Sequence, residues 1–360
     1  MRYQITKTDF QELLKHLLKK NVVSEILSGT EKKNRYVVTP EFVSDPAQID
    51  LFPLSQLMTY GYARTDSASN SILHSQKALN TKVAVIGRAC DVRAMVELDK
   101  KKQVVWENLF IIAFHDLGYL PNKSLKKFFK KTEIKDADIE YERLTPSNFI
   151  LKMKNGKFQS FPLGKDIDIA GNCSRCIQKD HALADFMIGT YSLPEKSEDY
   201  IITPQSDRAK RMVETLGWSK KAVDEKISAD YDKVAQEVIS KCTTKREKDL
   251  SAFLANEERF SLLTKCTACG MCVKSCPVCF CKVCNLTTQV KAKTMDKMTF
   301  LTTRFTHVGD TCVECGRCTT NCPMNIPLDL VFQSLRDSFK KDRKYESGSQ
   351  RKDSVMHLDV

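Results

Sequence analysis

The sequence predicts an α/β domain with a mixed, mostly parallel sheet, followed by a small α+β domain that is rich in cysteine. A strand, a helix and a second strand succeed one another between residues 83 and 114, and most of the closely spaced cysteines fall between residues 266 and 322. With 360 residues and 42% hydrophobic content, the chain is long enough for one sizeable core and a smaller module.

The N-terminal residues predict a helix that faces the core. Its apolar residues recur at helical spacing: Phe10, Leu13, Leu14, Leu17 and Leu18. We expect Thr8 and Gln11 to form its capping box. The first twenty residues lack the features of a secretory signal, and no window approaches eighteen apolar residues. We therefore expect a cytoplasmic protein without membrane insertion.

The central residues predict the parallel part of the sheet. Val83 to Ile86 form a short buried strand, Gly87 makes a turn, and a helix follows. The stretch ENLFIIAF, which ends at Phe114, is the next buried strand, so the unit is of the βαβ type. Further along, NFILKM and GKFQSFPL alternate apolar and polar residues, as in a hairpin.

The sequence predicts two domains joined by a helical connector. The α/β domain is expected over residues 1–240, a helical connector over residues 241–258 and the cysteine-rich module over residues 259–340. The last stretch, residues 341–360, is polar and is expected to form a flexible tail.

The charge of the chain indicates which partners it meets. Its formal net charge is +12 at pH 7, which favours anionic cofactors or an acidic protein. The lysines are dispersed in short runs without the interleaved aromatic residues of a base-stacking surface. We therefore expect no nucleic acid as a partner.

Two cysteine runs share the spacing C-x2-C-x2-C-x3-C-P. In bacterial two-cluster ferredoxins, three thiolates of such a run bind one [4Fe-4S] cluster and the fourth binds the other. The predicted ligands of the first cluster are Cys266, Cys269, Cys272 and Cys322, and those of the second are Cys312, Cys315, Cys318 and Cys276. Structural zinc would need pairs of cysteines, and a disulfide framework is typical of small secreted chains. The spacing therefore predicts a bacterial dicluster ferredoxin module.

Seven of the fifteen cysteines lie outside this set of eight: Cys90, Cys173, Cys176, Cys242, Cys279, Cys281 and Cys284. The C-x2-C pair at Cys173 indicates either two ligands of a third cluster or a structural pair. Cys279, Cys281 and Cys284 are too crowded for a buried core. They are either metal ligands or free thiols, and as ligands they could complete one site together with Cys173 and Cys176. Cys242 is interpreted as a bystander. Cys90 lies at a helix start, where a thiolate is stabilised, so it is either reactive, ligating or an inert buried residue.

Three stretches together resemble the beta-subunit family of coenzyme F420-reducing hydrogenase and F420-dependent formate dehydrogenase. They are VAVIGRACDVRAMVELDKKKQVVWENLFIIAF, GNCSRCIQKDHALADFMIGTYS and the two cysteine runs. The resemblance implies that the α/β domain is of the flavin type, with FAD and a third or fourth iron–sulfur cluster. It also implies partner subunits of hydrogenase, formate dehydrogenase or heterodisulfide reductase type, and a flavin that passes hydride to coenzyme F420.

The resemblance also implies roles for single residues. Residues 85–93 correspond to the flavin-domain motif, and the residues assigned to cofactor binding are Gly87, Arg88, Cys90, Asp91 and Arg93. Two positions depart from the family: Ala89 replaces a usual proline, and His115 stands where many members have cysteine. A histidine can bind iron in place of a thiolate, as in Rieske centres.

The sequence thus predicts an oxidoreductase subunit that transfers electrons in an anaerobic complex and links a catalytic partner to coenzyme F420 through FAD. No catalytic residue is assigned. One alternative is a dicluster ferredoxin adaptor without flavin. Another is a flavin subunit of an NAD(P)H-linked complex, in which the nucleotide binds elsewhere because this chain has no G-x-G-x-x-G turn.

Overall fold

The computed structural model describes residues 1–32, 34–63, 65–281 and 283–352. Within them, seven strands form one sheet in the order β1-β10-β9-β5-β4-β2-β3. The strands are β1 (Tyr3–Ile5), β2 (Glu25–Glu31), β3 (Val38–Val43), β4 (Val83–Arg88), β5 (Leu109–Phe114), β9 (Phe186–Gly189) and β10 (Tyr200–Pro204). The central strands β2, β4, β5 and β9 are parallel, and the strands at both edges are antiparallel to their neighbours. The prediction of a mixed sheet with a parallel centre is confirmed.

Strands β4 and β5 are buried at every position, as expected for parallel strands covered on both faces. The helix between them, α4 (Ala89–Lys100), completes the predicted strand–helix–strand unit. Strand β4 continues to Arg88, two residues beyond the predicted end at Ile86, because its ladder with β5 reaches Phe114.

Most helices of this domain pack against the seven-stranded sheet. The helices are α1 (Lys7–Lys19), α2 (Leu54–Tyr60), α3 (Ala68–Ser75), α4, α5 (Asn122–Thr132), α6 (Gly171–Ser174) and α7 (Asp207–Thr215). The predicted apolar face of α1 is buried. The predicted capping box is wrong: Thr6 caps the helix and pairs with Asp9, because the helix begins at Lys7, one residue before the expected cap at Thr8.

A second sheet contains the predicted hairpin. Its strands are β6 (Ile139–Leu144), β7 (Asn148–Met153) and β8 (Phe158–Pro162), all antiparallel. The hairpin β7–β8 is confirmed, and β6 extends it by one strand that contacts α2. The rings of Phe128, Phe149 and Phe161 pack together beneath this sheet.

One long helix, α8 (Glu225–Ala255), leads to the cysteine-rich module, and the expected connector at residues 241–258 is largely its C-terminal half. The helices of the module are α9 (Ser261–Thr264), α10 (Met271–Lys274), α11 (Asn285–Lys291), α12 (Lys297–Val308), α13 (Arg317–Thr320) and α14 (Leu328–Arg343). Its described residues contain no strand, so the α+β prediction is wrong for this module. The reason lies between the two cysteine runs, where the chain folds into α11 and α12. No described helix combines the length and apolarity needed to cross a membrane.

The C-terminal residues differ from the expected flexible tail. Helix α14 continues to Arg343, and Tyr345, Ser347 and Gly348 then pack against α4. The fully buried carboxylate of Glu97 holds this segment, because it accepts hydrogen bonds from the Tyr345 hydroxyl at 3.0 and 3.1 Å and from the Gly348 amide at 2.6 Å. Residues 353–360 lie outside the described part of the chain.

Replacing Tyr345 with Phe should loosen this segment while keeping the packed ring. A hydrogen bond to a charged group contributes about 1.5–3 kcal/mol, so we expect amide exchange of residues 345–349 to accelerate roughly tenfold to hundredfold. Hydrogen–deuterium exchange mass spectrometry measures this change. Ser349→Ala is the matched control, since its hydroxyl bonds only to Glu346 inside the segment; equal exchange in both variants would contradict the anchoring role of Glu97.

Candidate metal centres

The first group of four cysteines surrounds one cavity. Its thiol-bearing lining residues are Cys266, Cys269, Cys272 and Cys322, drawn from both cysteine runs. Phe300, Leu301 and Leu328 form its apolar wall. The structure therefore brings together the same four cysteines that the spacing groups for the first cluster.

The second group surrounds a neighbouring cavity. Its thiol-bearing lining residues are Cys276, Cys312, Cys315 and Cys318. Again three residues come from one run, and the cysteine before proline comes from the other. This placement agrees with the predicted exchange of the fourth ligand, while the binding of iron at both groups stays a prediction.

The two runs repeat the same backbone turns. Ala268 and Glu314 have φ of 51° and 54°, and Gly270 and Gly316 have φ of 73° and 67°. The amides of Ala268 and Glu314 consequently point at sulfur: the first donates to Cys266 Sγ at 3.3 Å and the second to Cys312 Sγ at 3.4 Å. Such amides stabilise thiolate ligands in both runs.

The cavities differ from a site for a single ion. Within the described residues, no three side chains of Cys, His, Asp or Glu are grouped so that they could hold one metal ion. Each thiolate of a cubane binds a different iron, so its ligands surround a volume rather than meet at a point. This placement is compatible with cluster ligands, and the preference over structural zinc rests on the cysteine spacing.

Burial keeps most of these thiols protonated when iron is absent. It raises the pKa of Cys272 and that of Cys315 to about 11, and it raises the pKa of Cys312 and Cys318 further. Ligation requires thiolates, so assembly of the clusters must release protons, and a positive centre is needed to stabilise the resulting charge.

Arg304 of α12 is a buried cation beside both groups. Its side chain donates to Cys279 Sγ at 3.0 Å and to the Cys272 carbonyl at 3.3 Å, and it lines the second cavity. Burial opposes its charge, but the thiols of Cys276 and Cys279 outweigh burial and raise its pKa. Sequence reasoning missed this residue, because Arg304 lies in a helix between the runs and has no motif of its own.

The upstream pair lies against the second group. Cys173 belongs to α6, and burial raises its pKa to about 12. Its neighbour Asn172 donates to the Cys315 carbonyl at 2.6 Å, which links the α/β domain directly to the second cysteine run. Arg93 reinforces the link, since its guanidinium donates to the Val313 carbonyl at 3.1 Å and lies 4.0 Å from Cys176 Sγ.

Cys242 lies near this pair, and its interpretation as a bystander stays a prediction. It is buried on α8, and its thiol lies 3.9 Å from the Cys173 carbonyl. Lys179 donates to the same carbonyl at 2.7 Å. A sequence signal existed: the buried residues of α8, including Tyr231, Val238, Cys242 and Arg246, are spaced along one helical stripe.

The residues assigned to a flavin form a buried network. Arg88 pairs with Asp116 and donates to the carbonyls of Leu57, Met58 and Gly118. Its amide and the hydroxyl of Ser69 donate to Asp91, which is 2% exposed. Since these side chains are bonded inside the protein, they do not present an open surface that fits a flavin.

Gly87 and Arg93 are buried, and Cys90 is half-buried. A Cβ at Gly87 would lie 3.0 Å from Ala68. Burial raises the pKa of Cys90, with Asp91 and Cys315 adding to the shift, so its thiol is protonated rather than activated by the helix. Arg93 is 1% exposed and serves the contact with the second cysteine run.

His115 lies among aromatic rings. Its ring is 5.7 Å from that of Tyr191 and 5.3 Å from that of Tyr231, and Asp180 is its charged neighbour at 3.8 Å. Burial lowers the pKa of His115 to about 4, so it is neutral above that pH. None of these described contacts joins it to a cysteine, and its use as an iron ligand is not supported.

The crowded cysteines occupy a different place from the upstream pair. Cys279, Cys281 and Cys284 line an open pocket whose described lining includes neither Cys173 nor Cys176. The expectation of one site shared between these two sets is therefore not supported by the placement.

Electron paramagnetic resonance of serine variants can test whether the fourth cysteine of each run binds the cluster of the other run. Cys322→Ser and Cys266→Ser should alter the same electron paramagnetic resonance signal of the reduced protein, because both residues line the first cavity. Cys276→Ser and Cys312→Ser should alter the other signal. Each substitution should reduce bound iron by about four per chain. If Cys322→Ser instead altered the same signal as Cys312→Ser, each cysteine run would hold its own cluster.

Arg304→Gln should lower the reduction potentials of both clusters. Removing a buried positive charge destabilises the reduced, more negative form, and at this separation the shift should be on the order of tens of millivolts. Redox titration monitored by electron paramagnetic resonance measures it. Arg304→Lys retains the charge and should shift the potentials less; equal shifts in the two variants would assign the effect to packing.

Comparisons with known proteins agree with this arrangement. A family model for the C terminus of the coenzyme F420 hydrogenase/dehydrogenase beta subunit matches residues 80–230, and a 4Fe-4S dicluster domain matches residues 262–326. The chain is 25% identical over 351 residues to the F420-dependent formate dehydrogenase subunit beta of Methanocaldococcus jannaschii, covering 93% of this chain and 90% of that protein. It is 27% identical over 352 residues to the F420-dependent formate dehydrogenase 1 subunit beta of Methanococcus maripaludis, covering 93% and 89%.

The fold is similar to that of a chain in the F420-reducing [NiFe] hydrogenase complex from Methanosarcina barkeri, solved with xenon. The TM-score is 0.52, the sequence identity is 13%, and the match covers 68% of this chain and 84% of that one. At this identity the likeness supports the fold alone. The family models and the relatives show that residues 80–230 are similar to the coenzyme F420 hydrogenase/dehydrogenase beta subunit and residues 262–326 to a 4Fe-4S dicluster domain, and they support an oxidoreductase subunit.

Proposed function

We propose that this chain is the electron-transfer subunit of an F420-dependent formate dehydrogenase, and that it carries electrons between the catalytic subunit and coenzyme F420. The observation that carries the proposal is the pair of adjacent four-cysteine cavities docked on the α/β domain. The named relatives, which are beta subunits of F420-dependent formate dehydrogenases, favour this partner over a hydrogenase or a heterodisulfide reductase.

The arrangement of the cysteine groups supports a route for electrons through the chain. Cys272 lies on the short helix α10 and Cys276 directly follows the cap of that helix, yet the two residues line different cavities. Two clusters held there would be separated by little more than that turn. Beyond the second cavity, the hydrogen bond between Asn172 and the Cys315 carbonyl leads into the α/β domain.

The pair Cys173 and Cys176 is the proposed place of a further cluster on this route. Cys242 adds a third thiol nearby, and Lys179 and Arg93 supply positive charge. Burial opposes the charge of Lys179, but Cys176 and Asp116 outweigh it and raise its pKa. A cationic surrounding of this kind stabilises thiolate ligands.

Coenzyme F420 accepts a hydride, whereas iron–sulfur clusters carry single electrons. A flavin supplies the conversion in the chemistry that the family resemblance implies. Because Arg88, Asp91 and Arg93 are bonded inside the protein, these residues do not fit such a group directly. Their buried network instead favours a second candidate function, in which the chain is an adaptor without flavin and passes electrons between two other subunits.

Iron, sulfide and flavin contents of the anaerobically purified chain separate the two candidates. If the chain is the formate dehydrogenase subunit, it should carry about twelve or more irons and about one FAD. If it is the adaptor, it should carry about eight irons and no flavin. The chain is then combined with the catalytic subunit of a formate dehydrogenase, and formate-dependent bleaching of coenzyme F420 is followed. Reduction of NAD in place of F420 would overturn the choice of carrier.

A further inference from the structure

An open pocket of about 510 Å³ adjoins the second cavity. Helices α10, α11 and α12 and the loop between α10 and α11 form much of its wall, and His74 and Lys101 of the α/β domain complete it. Cys276 lines both this pocket and the second cavity, so the two spaces share one cysteine. The ferredoxin spacing gives this pocket no role.

The pocket gathers the three cysteines that the two runs leave over. Cys279 and Cys284 are half-buried and Cys281 is exposed, and all three line the space. Arg304 is directed to the same place: it donates to Cys279 Sγ at 3.0 Å, and its Nε, in a side chain that is 2% exposed, has no hydrogen-bond partner. A buried cation with an unused donor beside Cys279 indicates an anionic partner at this end of the pocket.

The charge of the lining supports the same conclusion. The cations Lys101, Lys274, Lys291 and Arg304 line the pocket, and no carboxylate does so among its described lining residues. Three thiolates bound to an iron–sulfur cluster form an anion, which such a lining stabilises. Free neutral thiols would not require it.

The three thiols line the pocket without meeting at one point: the described side chains include no group of three ligands placed to hold a single ion. A cubane needs ligands placed around a volume, and the pocket has that volume.

We infer that Cys279, Cys281 and Cys284 bind a further iron–sulfur cluster, separate from any cluster at Cys173 and Cys176, with its fourth iron facing the open pocket. The site rests on the thiols and Arg304, and only its role rests on the proposed electron-transfer function. In that role the cluster accepts one electron from the cluster ligated by Cys276 and passes one electron to a partner at the pocket mouth.

Serine variants of the full chain, purified anaerobically, test the site. Cys281→Ser and Cys284→Ser should each lose about four irons and about four sulfides per chain, and the two ferredoxin signals should persist. Val283→Ser is the matched control, since this exposed side chain lies in the same loop and carries no thiol. Unchanged iron in both cysteine variants would overturn the inference, as would about one zinc per wild-type chain in place of the extra iron.

A second measurement on the wild-type chain does not depend on the folding of any variant. A bound cluster should protect Cys281 from iodoacetamide although that residue is exposed, and removal of iron with an oxidant and chelator should make it reactive. Immediate alkylation of Cys281 in the iron-loaded protein would show a free thiol. Loss of both ferredoxin signals in the wild type would instead contradict the proposed function, so the two failures are distinguishable.

Discussion

The ion-pair network around Glu314 is the contact on which the arrangement of the cysteine groups depends. Glu314 stands between Cys312 and Cys315, and its carboxylate accepts two hydrogen bonds from Arg246 of α8, at 2.8 and 2.9 Å. Arg336 of α14 lies 3.4 Å away. Burial raises the pKa of Glu314, but the two arginines outweigh it and lower that pKa. The network fixes the second cysteine run between α8, which leads into the module, and α14, the last helix of the module. Breaking a buried pair of this kind typically costs about 3–5 kcal/mol.

The close approach of the two domains places a second constraint on the same run. Gly316 combines a positive φ with contact to Asn172, and a Cβ at Gly316 would lie 2.0 Å from the Asn172 side chain. Any other residue would separate the second run from α6. The hydrogen bond from Asn172 to Cys315 would then be lost. The glycine therefore serves two purposes, the turn into α13 and the docking of the α/β domain.

The parts of the molecule that could be predicted from sequence are those governed by local spacing. Apolar runs located β4, β5 and the hairpin β7–β8, because burial and alternation act over a few residues. The cysteine spacing grouped the two sets of four for the same reason. The absence of strands from the described module, the anchored segment at Tyr345 and the placement of Cys242 depend on contacts between distant residues. Glu97, for instance, meets Gly348 across 251 positions, and no local pattern of the sequence indicates that bond.

Part of the positive charge of the chain is buried rather than exposed on its surface. A net charge of +12 favours a surface that attracts anions, yet several cations are buried. Arg93, Arg304 and Arg317 are each at most 5% exposed, and all lie beside cysteines. Burial disfavours the charged form of Arg317, but Asp91 and Cys315 outweigh burial and raise its pKa. A buried cation persists only where a negative partner compensates it. The surplus of positive charge and the surplus of cysteine are therefore related, since thiolates bound to iron would supply the compensating charge.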